Sequence, residues 1–414
     1  MEEKVGMAKL WALFLVVLVL AGSAQAAADR NVSRGGMRRL AGAPGVPVPI
    51  TVLTSAVAMG AVCMDGTPPA YHMDSGYGAG KNRWIVHLEP TNMLHAGRLM
   101  VRERGVVPVP QGEPPRLVKS HEQADVLRRH LELQPHREPC WNRVMIRYCD
   151  GASFAGEGYD PRSGLFFRGQ RIFNAVIQHL LSMGMSSADQ VLLSGSSAGA
   201  LAVVLHCDQF GGFFAGRGTT VKCLADAGFF LDAVNVAGWH TLRTYFGGVV
   251  ATHGVAQNLP RSCTSHLDAT SCFFPQNVIG GIKTPIFLLN AAYDTWQIRE
   301  SLAPDVADPG GAWRACRSSR FACNAFQMNI LQAFRNQIVG TVLSVSRSRS
   351  NGFFINSCFT HGQSEYATWK NAYGSPSLQN KAIWKSVGDW YFGRAEVRAI
   401  DCAYPCDNSC HHDM

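Results

Sequence analysis

The serine at the centre of Gly195-Ser196-Ser197-Ala198-Gly199 follows the apolar run Val191-Leu192-Leu193 and precedes a helix-like stretch from Ala200 to His206. A serine hydroxyl is a poor nucleophile until a neighbouring base removes its proton. Gly-x-Ser-x-Gly suits that chemistry in one setting. A strand delivers the serine to a sharp turn, the glycines tolerate crowding, and a helix begins behind with its N-terminal dipole facing developing negative charge. The local order meets all three conditions, so Ser197 is the expected nucleophile. An ordinary Gly/Ser turn between strand and helix is the competing reading.

A nucleophilic serine needs a histidine, and the histidine needs a carboxylate to orient it. When the serine sits on a strand-to-helix elbow, the chain order is serine, acid, histidine, with the last two on loops after later strands. Asp294 and His361 fit that order: Asp294 follows Pro285-Ile286-Phe287-Leu288-Leu289, and His361 follows Gly352-Phe353-Phe354-Ile355. Asp226 and Asp232 are rival acids, set aside because so few residues after Ser197 leave no obvious strand before them. His240 and His253 are rival bases that precede Asp294. An aspartate after a strand is also a common helix cap, and a lone histidine is commonly a satisfied polar group.

Strands must carry these loops. Trp84-Ile85-Val86-His87-Leu88 and Val144-Met145-Ile146-Arg147-Tyr148 read as further strands, and Gln170 to Met183 reads as a helix with Ile172, Val176, Leu180 and Leu181 on one side. A longer helical segment runs from Ala325 to Val339. Strands alternating with helices predict an α/β fold of the α/β-hydrolase kind, a mainly parallel sheet with helices on both faces.

Of the 414 residues, 47% are apolar and only 16% charged, as in a globular chain. Lys4 and Lys9 precede an apolar run from Leu10 to Ala21, and Ala24-Gln25-Ala26 resembles a cleavage site. Residues 1–26 are therefore expected to be a signal peptide, with an uncleaved signal-anchor as the alternative. Residues 27–46 follow as a flexible segment holding a glycosylation sequon at Asn31, and 47–414 as one esterase domain. Export implies a secreted, extracellular protein with no membrane contact after cleavage, acting as a monomer. Most of its 13 cysteines should then be in disulfides, and the odd count leaves at least one thiol without an intramolecular partner. Cys402, Cys406 and Cys410, ahead of His411 and His412, suit a stapled tail better than zinc, and no metal or other cofactor is expected. The net charge of +8 points to an acidic extracellular polymer rather than to nucleic acid.

The chain resembles the plant pectin acetylesterase family, whose animal relative is the Notum carboxylesterase that removes a lipid acyl group from Wnt proteins. The resemblance runs from about Val48 to Glu89 and again from Trp141 to Cys410. It is carried by Cys63-Met64-Asp65-Gly66-Thr67-Pro68-Pro69-Ala70-Tyr71-His72, Trp84-Ile85-Val86-His87-Leu88-Glu89 and Trp141-Asn142-Arg143-Val144. Further matches are Arg147-Tyr148-Cys149-Asp150-Gly151-Ala152-Ser153-Phe154, the Ser197 pentapeptide and Cys223-Leu224-Ala225-Asp226-Ala227-Gly228-Phe229-Phe230. Asn290-Ala291-Ala292-Tyr293-Asp294 and Asn356-Ser357-Cys358-Phe359-Thr360-His361 complete the set. The resemblance implies Ser197, Asp294 and His361 as a catalytic triad, a disulfide between Cys63 and Cys149, and acetylated cell-wall pectin as substrate.

Two departures follow from the same comparison. Where the family continues with a glycine-rich stretch ending in Trp-Cys, which resembles half of an oxyanion hole, this chain reads Pro90-Thr91-Asn92-Met93. Proline has no N–H to donate, which leaves the amide of Ala198 as the expected oxyanion donor. From Pro90 to Pro139 there is no Phe, Tyr, Trp, Ile or Cys, a composition that suggests a shifted reading frame, a mis-spliced exon or a disordered loop. The second departure is Gly362, where plant members commonly carry cysteine. Together with cysteines missing from the replaced segment, it implies a damaged or rearranged disulfide pattern. A catalytically impaired, polysaccharide-binding paralogue and a Notum-like lipid deacylase are the alternatives to a pectin acetylesterase.

Overall fold

A computed structural model describes residues 48–90, 141–365, 369, 375–406, 408–410 and 412–414. The expected signal peptide, Asn31, Cys140 and the stretch from Thr91 to Pro139 lie outside the described residues. Among the described residues, nine strands form one sheet: β1 (Ile50–Val52), β2 (Ala70–Asp74), β3 (Arg83–Leu88), β4 (Asn142–Ile146), β5 (Gln190–Ser196), β6 (Thr220–Asp226), β7 (Ile286–Ala291), β8 (Gly352–Asn356) and β9 (Arg398–Ile400). Their order is β1-β2-β4-β3-β5-β6-β7-β8-β9, antiparallel at β1–β2 and β2–β4 and parallel from β4 to β9.

The central strands read as near-continuous apolar runs because both of their faces are covered. Val86, Leu193, Ala225, Leu288 and Phe353 point into one cluster, shared with Ile172 and Val176 of α1 (Gly169–Ser182), Leu201 and Val204 of α2 (Ala198–Gly212), Phe246 of α3 (Thr241–Thr252) and Leu331 and Ile338 of α4 (Ala325–Val345). Their neighbours Ile85, Leu192, Leu224, Phe287 and Phe354 point the other way, against Ile383, Val387 and Trp390 of α5 (Ile383–Tyr391). The alternation of one sheet between two helical layers is that of an α/β-hydrolase-like fold.

Boundaries differ where local chemistry intervenes. The helix from Ala325 extends to Val345, begun by a capping box in which Asn324 Oδ1 accepts the Gln327 N–H at 2.9 Å and Gln327 Oε1 accepts the Asn324 N–H at 3.0 Å. Strand β4 stops at Ile146 rather than Tyr148, because Tyr148 N–H donates to the Glu89 carboxylate at 2.9 Å and Cys149 is bonded to Cys63.

Six disulfides are formed among the described residues. Cys63–Cys149, Cys207–Cys223, Cys263–Cys272, Cys316–Cys323, Cys358–Cys410 and Cys402–Cys406 are all bonded, so every described cysteine has a partner despite Gly362. Cys402, Cys406 and Cys410 are thereby unavailable as thiolate ligands for zinc.

Candidate active site

At the end of β5 the chain turns through Ser197, which has φ +53° and ψ −120°. A side chain is strained in that region, so the surroundings must hold it there. They do so by close backbone approach. The Ser197 N–H donates to the carbonyl of Asp226 on β6 at 2.9 Å. A Cβ on Gly195 would lie 2.4 Å from the Gly199 carbonyl oxygen, and one on Gly199 would lie 2.1 Å from that of Leu88. Both glycines are therefore required for helix α2 to begin directly behind the turn. Ala198 is the first residue of that helix and is buried. Its N–H has no acceptor within the helix and points with the helix dipole.

Asp294 lies three residues past the end of β7 and is fully buried. Its Oδ1 accepts the Gln297 N–H at 2.9 Å, so it caps the short turn Thr295–Gln297. Both carboxylate oxygens also face Nδ1 of His361, at 3.0 and 2.9 Å, while Nε2 of that ring lies 2.8 Å from Ser197 Oγ. An ionised carboxylate only accepts, which places the proton on Nδ1 and turns the Nε2 lone pair toward the serine hydroxyl. Burial pulls the imidazole pKa down, but the charge and hydrogen bond of Asp294, with Asp226 behind them, outweigh it and hold His361 above its ordinary value. Arg299 opposes this rise. Trp296 stacks on the imidazole at 5.9 Å, and Phe230 packs edge-on against Trp296 at 5.0 Å.

The rivals have other engagements. Asp232 binds His240 Nδ1 at 2.8 Å and Arg243 Nε at 2.7 Å. His253 is buried against the Phe167 ring at 4.2 Å. Contrary to the expectation from the sequence, a strand, β6, does precede Asp226, which ends that strand directly opposite Ser196. Thr220 and Lys222 break the apolar run at the start of β6, which hid the strand from apolar patterning. What separates Asp226 from the histidine is its partners, since Oδ2 accepts the N–H groups of Gln363 and Ser364 at 2.8 and 2.7 Å and the Ser364 hydroxyl at 2.6 Å. Burial pushes its carboxyl up to about 6.

Sequence reasoning missed a second anchor of the same loop. His87 on β3 places Nδ1 3.0 Å from Ser194 Oγ and Nε2 3.2 Å from Glu365 Oε1. Burial brings its pKa down to about 3, which keeps the ring neutral. No sequence pattern signals this pairing, because its members are far apart in the chain.

Immediately after β3, the Glu89 N–H donates to the Ile146 carbonyl at 3.1 Å, and Pro90 has none to give. Glu89 is occupied on its other side too, its carboxylate pairing with Arg147 at 2.5 Å. These two residues supply no oxyanion donor, and Thr91-Asn92-Met93 lie outside the described residues.

Comparison with known proteins agrees with this architecture. The family model for pectinacetylesterase matches residues 42–411. Pectin acetylesterase 11 and pectin acetylesterase 7 of Arabidopsis thaliana are 42% and 41% identical over 367 residues, covering 88% of this chain and 92% of each relative. More distant is palmitoleoyl-protein carboxylesterase notum2 of Xenopus laevis, 26% identical over 256 residues, which span 57% of this chain and 50% of that protein. The solved structure of the Wnt deacylase Notum from Drosophila superimposes with a TM-score of 0.65 at 20% identity, covering 88% of this chain and 100% of that one, a likeness of fold. Matched by the family model from residue 42 to residue 411, and 42% identical to a relative across 92% of that relative, this chain belongs to the pectin acetylesterase family of carboxylic ester hydrolases.

Proposed function

We propose that this chain is a secreted esterase that removes acetyl groups from cell-wall pectin, with Ser197 as nucleophile, His361 as base and then acid, and Asp294 as the group that orients the imidazole. The observation that carries this reading is the unbroken run from Asp294 through His361 to Ser197, with every link at 3.0 Å or less. As Ser197 Oγ attacks the acetyl carbonyl, Nε2 of His361 takes its proton, and the imidazolium faces the buried Asp294 carboxylate. Collapse of the tetrahedral intermediate breaks the ester bond, and His361 returns the proton to the departing sugar hydroxyl. Water, deprotonated by the same nitrogen, then attacks the acetyl-serine; the bond from the acetyl carbon to Ser197 Oγ breaks, His361 returns the proton to Oγ, and acetate leaves. The Ala198 N–H stabilises the oxyanion in both halves of the reaction.

Several observations favour the setting. Six disulfides suit an oxidising compartment, in keeping with residues 1–26 as an export signal and the cell wall as destination. A net charge of +8 favours a polyanionic galacturonan, and exposed Arg299 adds a cation close enough to act on His361. The chemistry calls for no cofactor. A slow, impaired member of the family is the second reading, favoured because Glu89 N–H is engaged and Pro90 has none; loss of one oxyanion donor costs about a hundred- to a thousandfold in turnover.

Labelling with a fluorophosphonate and digestion of acetylated substrates test the proposal together. The proposal expects a tag on Ser197, and faster acetate release from acetylated polygalacturonan than from an uncharged acetylated xylan. An unlabelled Ser197 in folded protein contradicts the esterase role, and equal release from the two polymers contradicts the substrate.

A further inference from the structure

We propose that Asp226 is a positioning residue for the esterase reaction, locking the loop that carries His361 onto the turn that carries Ser197. Its main chain and its side chain serve the two halves of the site separately. The carbonyl accepts the Ser197 N–H at 2.9 Å, which helps hold the strained elbow. The carboxylate, fully buried, receives the Gln363 N–H, the Ser364 N–H and the Ser364 hydroxyl at 2.8, 2.7 and 2.6 Å. In the sheet Asp226 stands between Ser196 of β5 and Leu289 of β7, and so between the strands that deliver the nucleophile and the acid.

A buried carboxylate is expensive to desolvate, and three donors converging on Oδ2 offset only part of that cost, since Oδ1 is buried without a hydrogen-bond partner. The groups facing it or its loop are His361, whose cation it favours, and Glu365, which repels it and is itself paired with His87. The loop from His361 to Glu365 is thus held at three points: Asp294 at its start, Asp226 in its middle and His87 at its end. Releasing the middle point lets the imidazole drift from Ser197 while its own partner Asp294 is untouched.

All three donated bonds end on a single oxygen, Oδ2. An asparagine can present one carbonyl oxygen there and keep them, whereas alanine cannot. In the full chain, Asp226→Ala is therefore expected to lower kcat on p-nitrophenyl acetate by about a hundredfold with KM nearly unchanged, as a displacement of about 1 Å does. Fluorophosphonate labelling of Ser197 should slow in parallel. Asp226→Asn should keep labelling within a few-fold of wild type, and removal of the negative charge should shift the NMR titration midpoint of His361 downward. Wild-type labelling by the alanine variant, or an unshifted His361 midpoint in the asparagine variant, overturns the proposal. If the alanine variant does not fold, the asparagine titration decides alone. The kinetic arm rests on the esterase reading, but the titration does not. Absence of turnover on any ester by wild type defeats that reading, while an unmoved midpoint defeats this one.

Discussion

Both oxygens of Asp294 lie within 3.0 Å of His361 Nδ1, and one of them simultaneously accepts the Gln297 N–H. The same carboxylate caps a turn and orients an imidazole, so two readings of an aspartate after a strand are true together. Asparagine keeps the cap, since its amide oxygen can still accept from Gln297, but it disturbs the tautomer of His361. Asp294→Asn should lower kcat by about ten thousandfold with little change in melting temperature. Steady-state kinetics beside thermal unfolding checks this, and a tenfold loss or less contradicts it.

His361 must be neutral to act as a base, and Asp294 holds its pKa above the ordinary histidine value despite burial. On an uncharged acetyl ester, kcat/KM should rise with pH through a midpoint above about 6.5. Arg299 opposes that rise, so Arg299→Glu should move the midpoint higher still. A midpoint that stays in place or falls in the variant contradicts the electrostatic assignment.

Gly199 is needed because a methyl group there would sit 2.1 Å from the Leu88 carbonyl oxygen. Gly199→Ala should destabilise the protein by about 1–3 kcal/mol and separate β3 from the elbow. Gly212, at the far end of α2, has nothing within 4 Å of the place a methyl group would occupy, and Gly212→Ala should be neutral or stabilising. Equal denaturant midpoints for the two variants contradict the packing argument.

Asp150 is fully buried, its Oδ2 accepting the Ala152 and Phe154 N–H groups at 3.2 and 2.9 Å, and burial pushes its carboxyl up to about 7. The folded state therefore holds this proton more tightly than the unfolded chain does. Its contribution to stability is full below pH ~4 and is lost as pH rises toward about 7. Asp150→Asn keeps an acceptor and removes the titration, so its melting temperature relative to wild type should be more favourable at pH 8 than at pH 4. The same difference at both pH values contradicts the shift.

Much of the site was legible because its parts are local or ordered. The elbow is five consecutive residues, and the later acid and histidine each follow an apolar strand. Asp226 was not legible as an anchor, because Thr220 and Lys222 interrupt the apolar pattern of β6 and the partners of its carboxylate lie more than 130 residues away. The pairing of His87 with Glu365 spans 278 positions and has no periodicity to betray it. Strand β9 escaped for a different reason: a three-residue edge strand is too short to show alternation. The length of α4 was underestimated because the pattern fades beyond Val339, where Val342 alone of the last turns is fully buried.

The central claim is that Ser197, activated through His361 and Asp294, deacetylates pectin. Acetate released from acetylated polygalacturonan by wild type and by Ser197→Ala, at equal concentrations of folded protein, tests it most directly. Release by wild type and a loss of at least about a thousandfold in the variant are expected. Release at the same rate by both proteins would contradict it.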